Sequence, residues 1–278
     1  MITGRYTKAT LLLEVFAILL ALFFLVPFYF VVVNSVKSFS EILVDAAALP
    51  TEILFSNYAN VWDVLNFPVA FMNSFLITIF SIAGIVLISA MAAWKMVRTP
   101  GRLSKILFIL FVSAMVIPFQ TVMIPPLMKL GGMLGIMNSI PGIILMYFGF
   151  GVSLSLFLFH GFVKTIPKEI EESARIDGAN DFSVFWRIVF PLLKPIAVTV
   201  VILNTLWIWN DYLLPLLVLQ DPDLRTIPLA TSSFFAQYTK QWDMGLAALV
   251  MGGIAPIVVF FLFLQKHIIK GIAAGSIK

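Results

Sequence analysis

The sequence predicts an all-α integral membrane protein with six transmembrane helices. Hydrophobic residues make up 61% of the 278 residues and charged residues only 12%, and the mean hydropathy of +1.04 lies well above that of water-soluble proteins. Apolar runs long enough to cross a hydrocarbon core of about 30 Å recur along the chain. They cover residues 11–33, 69–94, 106–127, 140–162, 192–219 and 244–264.

Each apolar run is predicted to be a helix because backbone groups in lipid must form hydrogen bonds within their own segment. The first run is too long for the apolar part of a secretory signal, and no small-residue cleavage pattern follows it directly. It is therefore predicted to be a span. No soluble domain or internal repeat is visible, so residues 1–278 are predicted to form a single transmembrane domain.

Lysine and arginine residues predict the orientation of the chain, since cytoplasmic loops retain them. With a cytoplasmic amino terminus, 14 of the 18 fall on the inner side. The inner residues are Arg5, Lys8, Lys95, Arg98, Arg102, Lys105, Lys164, Lys168, Arg175, Arg187, Lys194, Lys266, Lys270 and Lys278, and the outer ones are Lys37, Lys129, Arg225 and Lys240. Both termini are thus predicted to be cytoplasmic.

Several kinds of chemistry are excluded by composition. The chain has no cysteine and only two histidines, far apart in sequence, so no metal site is predicted. The pI of about 9.3 reflects the topology of the loops, and no nucleic-acid-binding fold is visible. A phosphate-binding GxxxxGK[ST] sequence is absent, so the chain cannot hold ATP in that way.

The loop from about residue 164 to 191 is a charged, amphiphilic segment between two apolar runs. Pro167 suits the first turn of a helix, and Gly178 suits its left-handed end. Asn180 or Asp181 can cap a second helix, which is predicted to continue until Pro191 interrupts it. The alternative is an ordinary polar connector that returns the chain to water between two spans.

The first helix of this loop is predicted to have one acidic face. Glu169, Glu172 and Ile176 recur at helical spacing. Pairing at four-residue spacing is also predicted, between Lys168 and Glu172 and between Glu171 and Arg175. A short amphipathic helix between rigid spans can transmit the movement of a partner on the water side to the membrane spans.

The loop resembles the cytoplasmic coupling loop of permease subunits in binding-protein-dependent ABC importers. The matching residues are Glu172, Ser173, Ala174, Gly178, Ile188, Phe190 and Pro191. Ser173 replaces the usual alanine of the family and Phe190 the usual leucine, and both are mild changes of volume. Residues 117–120 with 124–125, 166–167, 176–179, 209–212 and 271–278 are similar to carbohydrate-uptake permeases, most of all to the smaller permease of the maltose transporter.

This resemblance implies a multi-subunit importer rather than an enzyme. A second permease would pair with this one, two cytoplasmic ATPase subunits would bind ATP and Mg, and an extracellular solute-binding protein would deliver sugar or oligosaccharide. The chain itself would carry no cofactor. Its location would be the plasma membrane of a bacterium or archaeon.

The resemblance also implies roles for particular residues. The ATPase-coupling set would be Glu169, Glu172, Ser173, Ala174, Asp177 and Gly178. Glu172 would pair with basic groups of the ATPase, and the alternative is a pair with Lys168 inside the loop, worth only a few tenths of a kcal/mol. The cytoplasmic tail from about 266 to 278 would contact the ATPases through Gly271, Gly275 and Lys278; the alternative is a frayed end.

Polar residues in the fifth apolar run are candidates for the sugar pathway, because burying them in lipid is costly. Asn204, Trp207 and Asp211 are predicted to share a helical face, with Asn210 beside it. Amides, carboxylates and aromatic faces are the groups that bind sugars. The alternative is that Asn210 and Asp211 cap or lock helices and that Trp207 and Trp209 anchor the chain at the membrane interface.

Two predictions concern the rest of the chain. The outer loop from Gln220 to Asp243 is apolar, which favours a docking surface for the binding protein over partial re-entry into the membrane. A rival function is an ion-coupled secondary transporter of a small solute, which needs ionisable groups deep in the spans. Asp211 is the only good candidate for such a group.

Overall fold

The computed structural model describes residues 8–117, 121, 128–236, 239–260, 262 and 265. Its helices are α1 (Lys8–Asn34), α2 (Phe39–Val44), α3 (Ser56–Val64), α4 (Phe67–Arg98), α5 (Arg102–Ala114), α6 (Met128–Met133), α7 (Ile140–Val163), α8 (Lys168–Ile176), α9 (Asp181–Leu192), α10 (Lys194–Trp209), α11 (Leu213–Val218), α12 (Ile227–Thr231) and α13 (Trp242–Phe260). Two short strands, β1 (Phe235–Ala236) and β2 (Thr239–Lys240), form an antiparallel hairpin. The described chain divides into two compact units, one within Met1–Phe67 and Thr231–Ala255, the other within Pro68–Ala230 and Pro256–Lys278.

Among the residues that the structure describes, four of the six predicted spans are helices long and apolar enough to cross a membrane. They are α1, α4, α7 and α13, and they correspond to the first, second, fourth and sixth apolar runs. Helices α4 and α7, both ends of which are described, begin and end within a few residues of the predicted bounds. The first, second and fourth runs lie wholly inside the helices that contain them.

The fifth predicted span is not one helix over residues 192–219. Helices α9 and α10 meet at Leu193 with a bend of 74° and together count as at most one further span. The helix preceding the bend widens to a π-turn over Phe185–Val189, so the second loop helix does not stop at Pro191 as predicted but at Leu192. A wide turn accommodates a proline that cannot donate a backbone hydrogen bond.

The third predicted span, residues 106–127, is also not one continuous helix. Helix α5 ends at Ala114, and the amide of Met115 turns back to the carbonyl of Val112. Pro118 follows shortly, and a residue before proline avoids the helical conformation. With 13 residues, α5 is about 20 Å long, shorter than the hydrocarbon core.

The unit that contains α4 to α11 has a core formed where α4, α7 and α10 meet. Ile85, Leu156 and Val200 are completely buried there. Gly151 of α7 permits the close approach, since a Cβ atom at that position would lie 2.4 Å from the Ile85 side chain. Helix α5 packs on the same helix α7, with the rings of Phe108 and His160 stacked at 3.9 Å.

The other unit packs α13 against α1, α2 and α3. The connection between α1 and α2 is held by Asn57, whose amide donates to the carbonyls of Ser35 and Lys37. The Lys37 side chain is fully buried, and its ammonium donates to the carbonyls of Asp45 and Ala48. The loops between α1 and α3 are therefore ordered by buried polar groups.

Candidate functional site: an acidic helix at the end of a long apolar helix

Helix α8 is built from signals that the sequence carries locally. Pro167 occupies the N-cap, and Glu169 and Glu171 lie in the first turn, where carboxylates favour the positive end of the helix dipole. At the other end the amide of Ala179 donates to the carbonyl of Ala174, and Gly178 adopts a φ of +86°. This is the six-to-one closure that typically ends a helix on glycine.

One face of α8 is exposed and acidic. Glu169, Glu172, Ser173 and Ile176 are all exposed at helical spacing, and Ile176 is 86% accessible. The predicted face is thus present, with two carboxylates beside an apolar side chain that water does not favour. Asp177 and Gly178 are exposed at its end, whereas Ala174 is half-buried and packs against the core.

The opposite face of α8 is anchored by Glu171, which the sequence analysis did not place in the site. Its side chain is 1% exposed. Trp94 Nε1 donates to Glu171 Oε2 at 3.0 Å, and Arg98 Nε donates to Glu171 Oε1 at 2.8 Å. Both partners lie in the last turns of α4. The predicted pair with Arg175 is present at 3.8 Å but is secondary to these bonds.

Arg98 and Arg175 extend this polar network along the loop. Arg98 Nη2 also donates to the carbonyl of Ile166 at 2.9 Å, just before α8 begins. Arg175 pairs with Asp181 at 3.1 Å, at the start of α9. Asn180 caps α9 by accepting from the amide of Ser183, which settles the choice between Asn180 and Asp181 as the cap. The end of α4, helix α8 and the start of α9 are therefore joined by one polar network.

The predicted pair between Lys168 and Glu172 is absent among the residues that the structure describes. No ion pair within 4.0 Å joins the two, although both border a cavity of about 330 Å³ beside Glu171. The Glu172 carboxylate is exposed and therefore accessible to a partner. The alternative of an intraloop pair at Glu172 receives no support from the geometry.

Asn204 holds two helices together. It is 5% exposed, and its amide donates to Ser155 Oγ of α7 at 3.1 Å and to the carbonyl of Val200 at 2.8 Å. A buried amide with partners on both helices fixes their packing.

Asp211 does not share a helical face with Asn204 and Trp207, because α10 ends at Trp209. It lies in the break before α11, where its carboxylate accepts from Tyr147 Oη at 2.9 Å and from the amide of Leu213 at 3.0 Å. The Tyr147 ring packs edge-on against Trp207 at 5.6 Å. Asn210 is exposed and donates to the carbonyl of Leu206. The side chains of Asn210 and Asp211 thus bond to backbone groups at the end of α10 and the start of α11.

Some predicted positions lie outside the described residues. These are Gly271, Gly275 and Lys278 of the tail and residues 118–120 and 124–125 of the resemblance. Among the residues that are described, no group of three or more histidine, aspartate or glutamate side chains could hold a metal ion.

In the outer loop, Phe234 is buried and Trp242 is 43% exposed.

Comparison with known proteins identifies the family of this chain. Residues 84–274 match the family described as binding-protein-dependent transport system inner membrane component. The probable starch degradation products transport system permease protein AmyC of Thermoanaerobacterium thermosulfurigenes is 41% identical over 96% of both chains. The melibiose/raffinose/stachyose import permease protein MelC of Bacillus subtilis (strain 168) is 34% identical over 98% of both chains.

The fold is also that of a solved importer. A chain in the crystal structure of a bacterial ABC transporter involved in the import of the acidic polysaccharide alginate superposes with a TM-score of 0.80. The match covers 95% of this chain and 99% of that chain at 21% sequence identity.

The matching family and the names of the relatives identify the chain as a membrane-embedded transport permease and not an enzyme. The chain belongs to the family of binding-protein-dependent transport system inner membrane components, and it is a permease subunit of a carbohydrate ABC importer. The resemblance predicted from the coupling loop is confirmed. The rival prediction of an ion-coupled secondary transporter is not favoured.

Proposed function

We propose that this chain is one of two different six-span permeases that enclose a sugar pathway through the plasma membrane of a bacterium or archaeon. Two cytoplasmic ATPase subunits engage the coupling loops, and an extracellular solute-binding protein delivers the cargo. The observation that carries the proposal is the exposed acidic face of α8, held at the end of α4 by a buried ion pair.

Six spans and two cytoplasmic termini are the proposed topology of one transmembrane domain, residues 1–278. The bent pair α9–α10 supplies the fifth span, and α5 with the residues that follow it supplies the third. Arg98, Ile166 and Glu171 meet at one end of α4, while residues 223–227 contact its other end. This arrangement supports placing the lysine- and arginine-rich loops together on the cytoplasmic side.

The coupling residues are proposed to act as a docking surface for the ATPases. Glu169 and Glu172 offer carboxylates to basic groups, and Ser173, Ala174, Asp177 and Gly178 set the shape and end of the helix. Because the chain has no phosphate-binding loop, closure of the ATPase pair drives the gate indirectly. A gate that shifts from 1:99 to 99:1 requires about 5.5 kcal/mol of differential binding. The tail residues Gly271, Gly275 and Lys278 are proposed as a second ATPase contact.

The proposed cargo is an oligosaccharide. Relatives named for starch degradation products and for melibiose, raffinose and stachyose support this class. Trp207, Asn210 and Asp211 lie near the break between α10 and α11, with Tyr147 against them. We assign them to the pathway wall, where an aromatic face and polar groups suit a sugar ring. Asn204 is assigned to the packing of that wall.

Glu172→Ala and Gly178→Asp test the coupling role in the assembled importer. Both are expected to abolish uptake of radiolabelled maltotriose or raffinose and the stimulation of ATP hydrolysis, while the permease still reaches the membrane. Glu172→Ala removes a docking carboxylate, and Gly178→Asp strains a position with φ of +86°. Glu52→Ala, an exposed carboxylate between α2 and α3, is the control. Normal sugar accumulation by either coupling variant refutes the role.

A further inference from the structure

We propose that Glu171, Arg98 and Trp94 form a clamp that makes α8 and α4 move as one body, so that α4 carries the transport signal across the membrane. The three are positioning residues, since they act through Glu172 and its neighbours. The inference rests on the proposed coupling role of α8 and adds the span through which that role is exerted.

The clamp joins elements that the chain does not connect. Helix α8 follows α7 and precedes α9 directly in sequence, whereas Arg98 and Glu171 are 73 residues apart. Arg98 additionally holds the carbonyl of Ile166. The Arg98 guanidinium at the end of α4 therefore donates hydrogen bonds both to the segment just before α8 and to the buried carboxylate of α8.

The geometry of the clamp fixes the rotation of α8 as well as its position. The two oxygens of Glu171 have different partners, Oε2 with Trp94 and Oε1 with Arg98. Turning α8 about its axis breaks both bonds and leaves a buried carboxylate without its cation, which is strongly unfavourable. Glu172 is the next residue along the helix, so the direction of the docking face is set by the clamp.

The far end of α4 is bonded to the loop before α12. Asn73 Nδ2 donates to the carbonyls of Asp223 and Arg225 at 2.8 and 3.1 Å, and Ser74 Oγ accepts from the amide of Ile227 at 2.9 Å. The anchors and the clamp both lie on α4, a single uninterrupted helix of 32 residues, about 48 Å long. A displacement of α8 is thereby carried to the loop at the other end, and a displacement of the loop is carried back.

Glu171→Gln is the direct test, since it keeps the size of the side chain and removes its charge. In the assembled importer we expect basal ATP hydrolysis to persist, while its stimulation by sugar-loaded binding protein and the uptake of maltotriose each fall about tenfold. Trp94→Phe keeps an aromatic ring beside Phe185, which Trp94 contacts at 5.4 Å, but removes the donor to Glu171. We expect it to lower stimulation and uptake in the same direction. Trp94→Phe serves as the test if the Glu171→Gln permease does not reach the membrane. Glu52→Gln is the matched carboxylate-to-amide control.

A distance measurement separates a clamp from a merely stabilising contact. The chain has no cysteine, so a pair of spin labels can be placed in one chain carrying both Thr99→Cys and Ile170→Cys, two exposed positions. The distance between these labels is expected to stay constant between nucleotide-free and vanadate-trapped importer, and to broaden or shift in Glu171→Gln. A distance that changes with nucleotide in the otherwise unaltered chain overturns the clamp.

Different experimental results refute the clamp and the coupling role. If Glu172→Ala transports normally, the coupling role of α8 is refuted. If Glu172→Ala is inactive while Glu171→Gln and Trp94→Phe retain full stimulation and uptake, only the clamp is refuted.

Discussion

At the scale of single residues, the neighbouring carboxylates of Glu171 and Glu172 have different roles. Glu171 is buried and satisfied by donors from Trp94 and Arg98, and Glu172 is exposed to water. A buried carboxylate that loses one charged partner costs about 3–5 kcal/mol, whereas an exposed pair is worth about 0–1 kcal/mol. Stability therefore depends on Glu171, and Glu172 remains available for binding.

Close packing at a glycine gives a prediction about stability. In Gly142→Ala the new Cβ atom would lie 1.8 Å from the carbonyl oxygen of Ile136, and a backbone atom cannot move aside cheaply. We expect a loss of about 1–3 kcal/mol, and a thermal midpoint lowered by about 2–4 °C per kcal/mol, measured on the detergent-solubilised importer. Gly149→Ala in the same helix, where no atom lies within 4 Å, is the control. Equal midpoints for the two variants would contradict the packing.

The exposed residues of α8 could be predicted from the sequence, and the buried one could not. Spacing alone places Glu169, Glu172 and Ile176 on one face. The same spacing places Glu171 on another face with Arg175, but it does not say that the end of α4 lies there. The signal that could have found the contact is the position of Trp94 and Arg98 at the end of an apolar run, facing a loop rich in acids.

At the scale of elements, the loop between α11 and α12 is rigid because both of its sides are anchored. Asn138 Oδ1 accepts from the amides of Gln220 and Asp221, and Asn73 and Ser74 hold the part that follows. A fixed loop presents one shape to a partner and avoids the entropy cost of ordering on binding.

The anchoring of this loop predicts its resistance to protease. Replacing Asn73 and Ser74 together by alanine removes three hydrogen bonds, each worth about 1 kcal/mol. Trypsin is expected to cleave the double variant after Arg225 at least about tenfold faster, since cleavage follows local opening. The rate is measured on the importer in membranes, with the exposed Asn60→Ala as control. Unchanged cleavage after Arg225 would show that other contacts hold the loop.

The long helices were predictable and their interruptions were not. Hydropathy located α1, α4, α7 and α13 because a membrane requires long apolar helices whatever their packing. The end of α5 at Ala114 and the bend at Leu193 depend on nearby prolines and on a π-turn. Prolines inside apolar runs often leave a helix continuous, as Pro27 does in α1, so their effect is decided by tertiary contacts.

At the scale of the whole molecule, the proposed orientation in the membrane rests on the distribution of charge. The cytoplasmic side receives 14 of the 18 lysines and arginines under the proposed topology. Lys37, one of the four remaining cations, is buried and bonded to carbonyl groups, so it adds little to the charge that an outer loop presents.

The orientation predicts which side of the membrane reaches each loop. Because the chain has no cysteine, single replacements report one position each. Glu52→Cys, between α2 and α3, is expected to react with a membrane-impermeant maleimide in intact cells. Lys105→Cys, near the start of α5, is expected to react only after the cells are permeabilised. Both positions are exposed, so the difference measures sidedness rather than burial. Labelling of Lys105→Cys in intact cells would place α8 outside, away from any ATPase, and would remove the basis for coupling.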